Sequence, residues 1–165
     1  MSSSSKNGAS GFFADTSALL YLVADHPGEP FAWVKEILES APLTACDLFY
    51  PEAIAALRAR KDQKRLTQKG FLQALRGLED LWSSLYLVES LPALMRAAGL
   101  LAQRHPLKGA DAVHLAAALA FARRGPFPIR FFTLDRAQYR VAKGFLEVYP
   151  FRSLRKTHRK GEPCC

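Results

Sequence analysis

The sequence GFFADTSALL at residues 11–20 decides the fold class of this chain. Its first four residues are an apolar run that predicts a buried strand, and the residues after Asp15 predict a helix. A second apolar run, at residues 129–134, ends directly before Asp135. Because chemistry in an open α/β sheet gathers beyond the carboxyl ends of parallel strands, we expect both carboxylates at the same edge of one sheet.

Apolar runs and helical patterns alternate along the rest of the chain, which is typical of a mostly parallel sheet with helices on both faces. The predicted helix at 67–84 has a one-sided apolar stripe, which indicates core packing or a surface for a second copy or a partner. The predicted strands are 11–15, 43–46, 86–89, 129–134 and 146–150, and the predicted helices are 16–24, 30–40 (begun by Pro30), 51–61, 67–84, 92–104, 110–124 and 136–144.

The length of 165 residues, of which 49% are hydrophobic, suits one domain with a substantial core. We expect a folded unit at 11–152, a disordered Ser-rich segment at 1–10 and a flexible basic tail at 153–165. The three cysteines form no metal-ligand or disulfide pattern, which indicates a reducing compartment. The sequence predicts neither a signal peptide nor a membrane span, so we expect a soluble cytoplasmic protein.

Four acidic residues are candidates for a hydrolytic site, and three of them have a simpler explanation. Asp15 and Asp135 each precede a predicted helix, and Asp is a favoured N-terminal cap. Glu52 follows Pro51 at a predicted helix start, where Pro and Glu are both favourable. Asp111 is harder to dismiss, because its helix is alanine-rich and apolar and a buried carboxylate needs a partner.

Basic residues outnumber acidic ones and give a formal net charge of +8, which favours a polyanionic partner such as nucleic acid. Arg136 and Arg140 follow Asp135 at helical spacing, and Arg58 follows Glu52. These side chains can contact RNA phosphates, although solvated helix faces have the same pattern. The sequence leaves both possibilities open.

Four stretches of the chain together resemble the PIN domains, and among them the VapC-type ribonuclease toxins of toxin–antitoxin systems. They follow the order of the family, span nearly all of 11–152, and read FFADTSALLYL, DLFYPEAIAALRAR, GADAVHLAAAL and FFTLDRAQYRVA. The resemblance implies a three-layer α/β/α sandwich with a five-stranded, mostly parallel sheet. It also implies a metal-dependent endoribonuclease, the toxin of a toxin–antitoxin pair, with an RNA substrate, a small antitoxin partner and a homodimeric state.

The resemblance assigns the four acids Asp15, Glu52, Asp111 and Asp135 to one catalytic site. Asp15 and Asp111 are the expected metal ligands, and carboxylates without clustered His or Cys favour Mg²⁺ or Mn²⁺ over zinc. Such an ion lowers the pKa of a bound water and neutralises charge on the phosphodiester.

Neighbouring polar side chains have supporting roles in this interpretation. Ser17 and Thr133 are candidates to orient the carboxylates or a water, or they satisfy nearby backbone groups. His114 lies one helical turn after Asp111, and we interpret it as a structural histidine in preference to a proton shuttle.

Other functions remain as alternatives. Phosphatases of the haloacid dehalogenase type need a second Asp where Ser17 stands, and receiver domains need a Lys where the sequence has residues 150–152. The stronger alternative is a catalytically inactive PIN-like module that binds RNA or a protein. The presence of all four acids argues against that alternative.

Overall fold

The computed structural model describes residues 10–24 and 32–150. The predicted disordered segment apart from Ser10, the helix start at Pro30 and the predicted basic tail at 153–165 lie outside these residues. The extent of the folded unit therefore remains a prediction.

Four short strands form one parallel sheet, which confirms the predicted α/β class. They are β1 (Gly11–Ala14), β2 (Leu43–Cys46), β3 (Tyr86–Val88) and β4 (Ile129–Phe132), in the order β3-β2-β1-β4. β1 lies at an inner position, where its apolar side chains are covered on both faces. The carboxyl end of β1 is therefore flanked by the ends of β2 and β4.

Seven helices in the described part of the chain connect and cover these strands. Their bounds are α1 (Thr16–Val23), α2 (Ala32–Glu39), α3 (Phe49–Asp62), α4 (Gln68–Ser84), α5 (Pro92–Arg104), α6 (Gly109–Arg124) and α7 (Arg136–Ala142). Among the described residues, no helix is both long enough and apolar enough to cross a membrane.

The expected fifth strand is wrong, because residues 146–150 make a single parallel bridge between Val148 and Phe131. The backbone N–H of Leu146 still donates to the Ala142 carbonyl at 2.9 Å, so the chain leaves α7 too late to pair along its length. Pro150 follows and has no N–H to extend a ladder. Only residues 147–149 remain to pair, around Phe131.

Two apolar cores lie on opposite faces of the sheet and complete the three layers. Side chains alternate between the faces along a strand, so Phe12 and Phe132 pack in one core and Phe13 and Phe131 pack in the other. The first core is closed by α1 to α4, and the second by α5, α6 and α7. Most of the apolar stripe on α4 packs into the first core, whereas Leu72 is 47% exposed.

Candidate active site

The pairing of β1 with β4 brings Asp15 beside the end of β4. Ala14 is in register with Phe132, and the N–H of Asp15 donates to the Phe132 carbonyl at 3.2 Å. Thr133, the residue after β4, consequently lies next to Asp15. The sheet register thus places the first of the four acids against the loop that contains the last.

Asp15 is buried, and hydroxyl groups hold both of its carboxylate oxygens. Ser17 donates to Oδ1 at 2.7 Å, and Thr133 donates to Oδ2 at 2.8 Å. The backbone N–H of Ala18 also donates to Oδ1, so Asp15 does cap α1 as the simpler explanation predicted. Burial raises the pKa of Asp15, while these hydrogen bonds and the nearby His114 act in the opposite direction.

The loop after β4 is tied to the same cluster by two further hydrogen bonds. Leu134 N–H donates to Ser17 Oγ at 3.0 Å, and Asp135 N–H donates to Thr133 Oγ1 at 3.0 Å. Ser17 and Thr133 therefore contact Asp15 and the backbone at once. The contacts to backbone N–H groups are those of the simpler explanation, and a role in orienting the site remains a prediction.

Glu52 lies in the first turn of α3 and receives hydrogen bonds from two other helices. Thr16 in α1 donates to Glu52 Oε2 at 2.6 Å, and Nε2 of His114 in α6 lies 2.6 Å from the same oxygen. Burial acts to raise the pKa of Glu52, but the His114 and Thr16 contacts outweigh it and lower the pKa. Glu52 is therefore favoured as a carboxylate, and its side chain is partly exposed beside the buried His114 and the half-buried Thr16.

Asp111 lies in the first turn of α6 close to the other acids. Burial raises its pKa, and the charges of Asp135 and Glu52 raise it further, against the opposing effects of Lys108 and His114. Mutual repulsion of this kind requires the carboxylates to share one region. Hydrogen bonds support this placement, because Gln138 contacts both Asp111 and Asp135, and Thr133 contacts both Asp135 and Asp15. His114, in the same helix as Asp111, contacts Glu52.

Sequence analysis missed two polar residues of this region, Thr16 and Gln138. Gln138 is fully buried, and its Nε2 donates to the Asp111 carbonyl at 3.1 Å. Its backbone N–H donates to Asp135 Oδ1 at 2.8 Å, so Asp135 caps α7. The spacing of Asp135 and Gln138 marks a helix start in the sequence, but the Gln138 side chain contacts the Asp111 carbonyl and not the Asp135 N–H, so this is not a capping box.

The predicted RNA-contacting arginines differ in their surroundings. Arg58 is exposed and pairs with Asp62 one turn along α3, at 2.9 and 3.0 Å from the two carboxylate oxygens. Arg136 and Arg140 are exposed on α7, directly after Asp135. The two α7 arginines therefore lie on the helix that Asp135 caps, whereas Arg58 is hydrogen-bonded to an acid of its own helix.

Comparison with known proteins identifies the family. The family model of the PIN domain matches residues 12–144, most of the chain. The chain belongs to the PIN domain family. This PIN domain is 39% identical over 114 residues to "Ribonuclease VapC45" of Mycobacterium tuberculosis, strain CDC 1551 / Oshkosh. The match covers 66% of this chain and 74% of the relative.

Solved structures share the fold of this PIN domain at lower identity. The crystal structure of Mycobacterium tuberculosis VapC20, described as a sarcin-ricin loop cleaving toxin, has a TM-score of 0.61 at 20% identity. The similarity covers 85% of this chain and 100% of VapC20. A toxin–antitoxin complex from Klebsiella pneumoniae has a TM-score of 0.56 at 18% identity, over 78% of this chain and 90% of that one.

The donor set of this PIN domain suits a hard divalent cation. The candidate ligands are carboxylate oxygens, and a cation would relieve the repulsion that raises the pKa of Asp111. Among residues 10–24 and 32–150, however, no three His, Cys, Asp or Glu side chains already stand as a metal-binding group. The acids therefore share an electrostatic environment without forming a complete cage.

Proposed function

We propose that this PIN domain is a divalent-metal-dependent endoribonuclease and the toxin of a toxin–antitoxin pair. The observation that carries the proposal is that hydroxyl groups hold both carboxylate oxygens of Asp15, at the edge of the sheet where the loop with Asp135 also lies. Several carboxylates at one edge of the sheet lower the stability of the fold unless a cation or another ligand binds them. The identity to a relative named as a ribonuclease supports RNA as the substrate.

The four acids have distinct roles in the proposal. Asp15 and Asp111 bind the ion, which is Mg²⁺ or Mn²⁺, and Glu52 and Asp135 close the pocket around the scissile phosphate. When bound, the ion activates a water and neutralises charge that develops on the phosphodiester. The hydroxyls of Ser17 and Thr133 keep the Asp15 carboxylate in one orientation, so that little reorganisation is needed during cleavage.

The proposal assigns substrate positioning to the exposed arginines. Arg136 and Arg140 on α7 contact phosphates near the acids, and Arg58 contributes from α3. The net charge of +8 supports attraction of a polyanion to this surface. We also propose a small antitoxin partner and a homodimeric state; the toxin–antitoxin neighbour with a similar fold supports the antitoxin partner.

Cleavage of a mixed pool of tRNA and structured RNA by the purified protein tests the function. We expect cuts in Mg²⁺ or Mn²⁺, none in EDTA, and loss of cleavage in Asp15→Asn and Asp111→Asn. Asp80→Asn is the matched control, because Asp80 is an exposed acid of α4 outside the site. RNA binding without cleavage in any metal would favour the inactive PIN-like binding module instead.

A further inference from the structure

Three helices meet at the carboxylate of Glu52. Thr16 begins α1, Glu52 lies in the first turn of α3 and His114 lies in α6. Thr16 Oγ1 is 2.6 Å from Glu52 Oε2 and 3.1 Å from His114 Nε2, and His114 Nε2 is 2.6 Å from Glu52 Oε2. The three side chains therefore form a closed triangle, in which each contacts the other two.

The triangle is asymmetric with respect to Glu52. Both contacts reach Oε2, and Oε1 takes no part in them. The His114 side chain is 2% exposed, whereas the Glu52 side chain is 31% exposed. The buried His114 and the half-buried Thr16 thus hold one carboxylate oxygen, while the Glu52 side chain as a whole remains accessible to solvent.

Packing in the core does not by itself account for a histidine at position 114. Its Nδ1 is buried and has no hydrogen-bond partner among the described residues. A buried polar atom without a hydrogen-bond partner lowers the stability of the fold. If His114 only filled the core, an apolar residue of similar size would therefore give a more stable protein. The polar interactions of the imidazole are those of Nε2, and the shorter of them is with Glu52.

The contact fixes which ring nitrogen bears a proton. A carboxylate oxygen only accepts hydrogen bonds, so Nε2 must donate to Glu52 at this distance. Thr16 donates its single hydroxyl proton to the same oxygen. Two donors on one oxygen restrict rotation of the carboxylate far more than one donor does.

We propose that His114 and Thr16 are positioning residues for RNA cleavage, which hold Glu52 by Oε2 so that Oε1 is presented to the reacting groups. This inference rests on the proposed endoribonuclease function. It gives His114 a role through Glu52, in place of the structural histidine that the sequence suggested. It also gives a role to Thr16, which directly follows one site acid and contacts another.

Paired substitutions separate positioning from folding. His114→Leu and Thr16→Val remove the donor while retaining similar volume, and His114→Gln and Thr16→Ser retain an N–H or O–H donor. We expect the first pair to lower kcat for RNA cleavage about 10- to 100-fold, as for other residues that orient a site group, with KM changed by less than about threefold. The second pair should recover most of kcat.

The double variant His114→Leu/Thr16→Val adds a test of the triangle as a unit. Residues that act through the same group are non-additive, so the double variant should lose little more than the worse single variant. Thr44→Val is the matched control, because Thr44 is fully buried and its hydroxyl has no partner among the described residues. It should keep wild-type kcat and stability.

A spectroscopic measurement tests the contact without activity. A hydrogen-bonded imidazole N–H in a buried site exchanges slowly and gives a downfield proton resonance, which the His114→Gln spectrum identifies by its absence. We expect this resonance to disappear or shift in Glu52→Ala and to persist in Asp135→Asn. An unchanged resonance in Glu52→Ala would overturn the proposal.

The results of these experiments separate failure of the positioning role from failure of the proposed endoribonuclease function. Full kcat in both His114→Leu and Thr16→Val, with cleavage by the wild type, overturns the positioning role alone. Activity that falls only in step with thermal stability, with no recovery in His114→Gln and Thr16→Ser, shows a structural role and also overturns it. Absence of metal-dependent cleavage by the wild type overturns both proposals.

Discussion

The hydroxyl of Thr133 donates a 2.8 Å hydrogen bond to Oδ2 of Asp15, across 118 residues of sequence. The two residues follow Phe132 and Ala14, which are partners in the β4–β1 register. A shift of that register by one residue would turn the side chains at the strand ends to the opposite face. The orientation of a candidate metal ligand is thus fixed by the pairing of the two strands.

Removal of the Thr133 hydroxyl should weaken both the fold and the site. Thr133→Val leaves the buried Asp15 Oδ2 and the Asp135 N–H without this partner. We expect a loss of about 1–3 kcal/mol in the free energy of unfolding and a fall in kcat of about 10- to 100-fold. Urea unfolding and RNA cleavage measure the two effects. Thr133→Ser keeps the hydroxyl and should lie near wild type; equal losses in both variants would contradict the prediction.

The carboxyl of Asp111 should make the metal-free protein less stable as the pH rises. Burial and the neighbouring charges raise the pKa of Asp111 above its ordinary 3.8. A carboxyl with a raised pKa in the fold stabilises it while protonated, and the contribution is lost as the pH rises from about 4 through the folded pKa. Asp111→Asn cannot ionise, so in EDTA it should be more stable than wild type at pH 7.

The difference between Asp111→Asn and wild type should shrink as the pH falls towards 4, because the wild-type carboxyl then becomes neutral as well. Urea unfolding at pH 7 and pH 4.5 measures this dependence. Asp80→Asn controls for the removal of an exposed acid. A wild type that is more stable than Asp111→Asn at pH 7 in EDTA would contradict the assignment of repulsion to Asp111.

Divalent metal should stabilise the folded protein through Asp15 and Asp111. A ligand that binds only the folded state at 100 times its Kd adds about 2.7 kcal/mol to the free energy of unfolding. We expect Mg²⁺ or Mn²⁺ to raise Tm in the wild type and in Asp80→Asn. Thermal unfolding should show little of this rise in Asp15→Asn and Asp111→Asn. An equal rise in all four proteins would place the ion elsewhere.

The arginines of α7 should contribute to RNA binding more than Arg58 does. Arg136 and Arg140 lie on the helix that the site acid Asp135 caps, whereas Arg58 lies on α3 and pairs with Asp62. Removal of one arginine that binds a phosphate should reduce the slope of log K against log salt by about 1. Fluorescence anisotropy in EDTA at several salt concentrations measures the slope without cleavage.

In that experiment, Arg136→Gln/Arg140→Gln should lower the slope by about 2, whereas Arg58→Gln should lower it by less than about 1. Arg76→Gln, in an exposed position of α4, controls for the removal of one positive charge. Equal slopes for the α7 double variant and Arg76→Gln would exclude α7 as the RNA-contacting helix.

The proposed homodimer has a testable surface on α5. Leu91 and Leu100 are 57% and 53% exposed and line a groove of about 760 Å³ between α5 and α6. Exposed apolar side chains of this kind are common at interfaces. If two copies associate there, Leu100→Glu should halve the mass seen by light scattering, and Leu72→Glu on α4 should not. A wild-type monomer at micromolar concentration would contradict the homodimer.

Local sequence patterns were sufficient to predict most of the strands and helices. The apolar runs that end at Asp15 and Asp135 predicted β1 and β4, because a short apolar run followed by a capping residue and a helical pattern depends only on neighbouring residues. The four acids were selected in the same way, with the help of the family resemblance. The spacing of Asp135 and Gln138 also marks a helix start in the sequence, although it does not predict the contact of Gln138 with Asp111.

The sequence by itself determined the parallel α/β class, since strand and helix patterns and capping chemistry are local, and with the family resemblance it indicated four candidate site acids. Tertiary structure alone decided that 146–150 forms only a bridge, because the end of α7 and Pro150 limit its pairing to Phe131. It also decided the contact of His114 with Glu52, 62 residues away in sequence. Such contacts depend on how helices from different layers approach one another, and that geometry is set by packing of the two cores rather than by any local pattern.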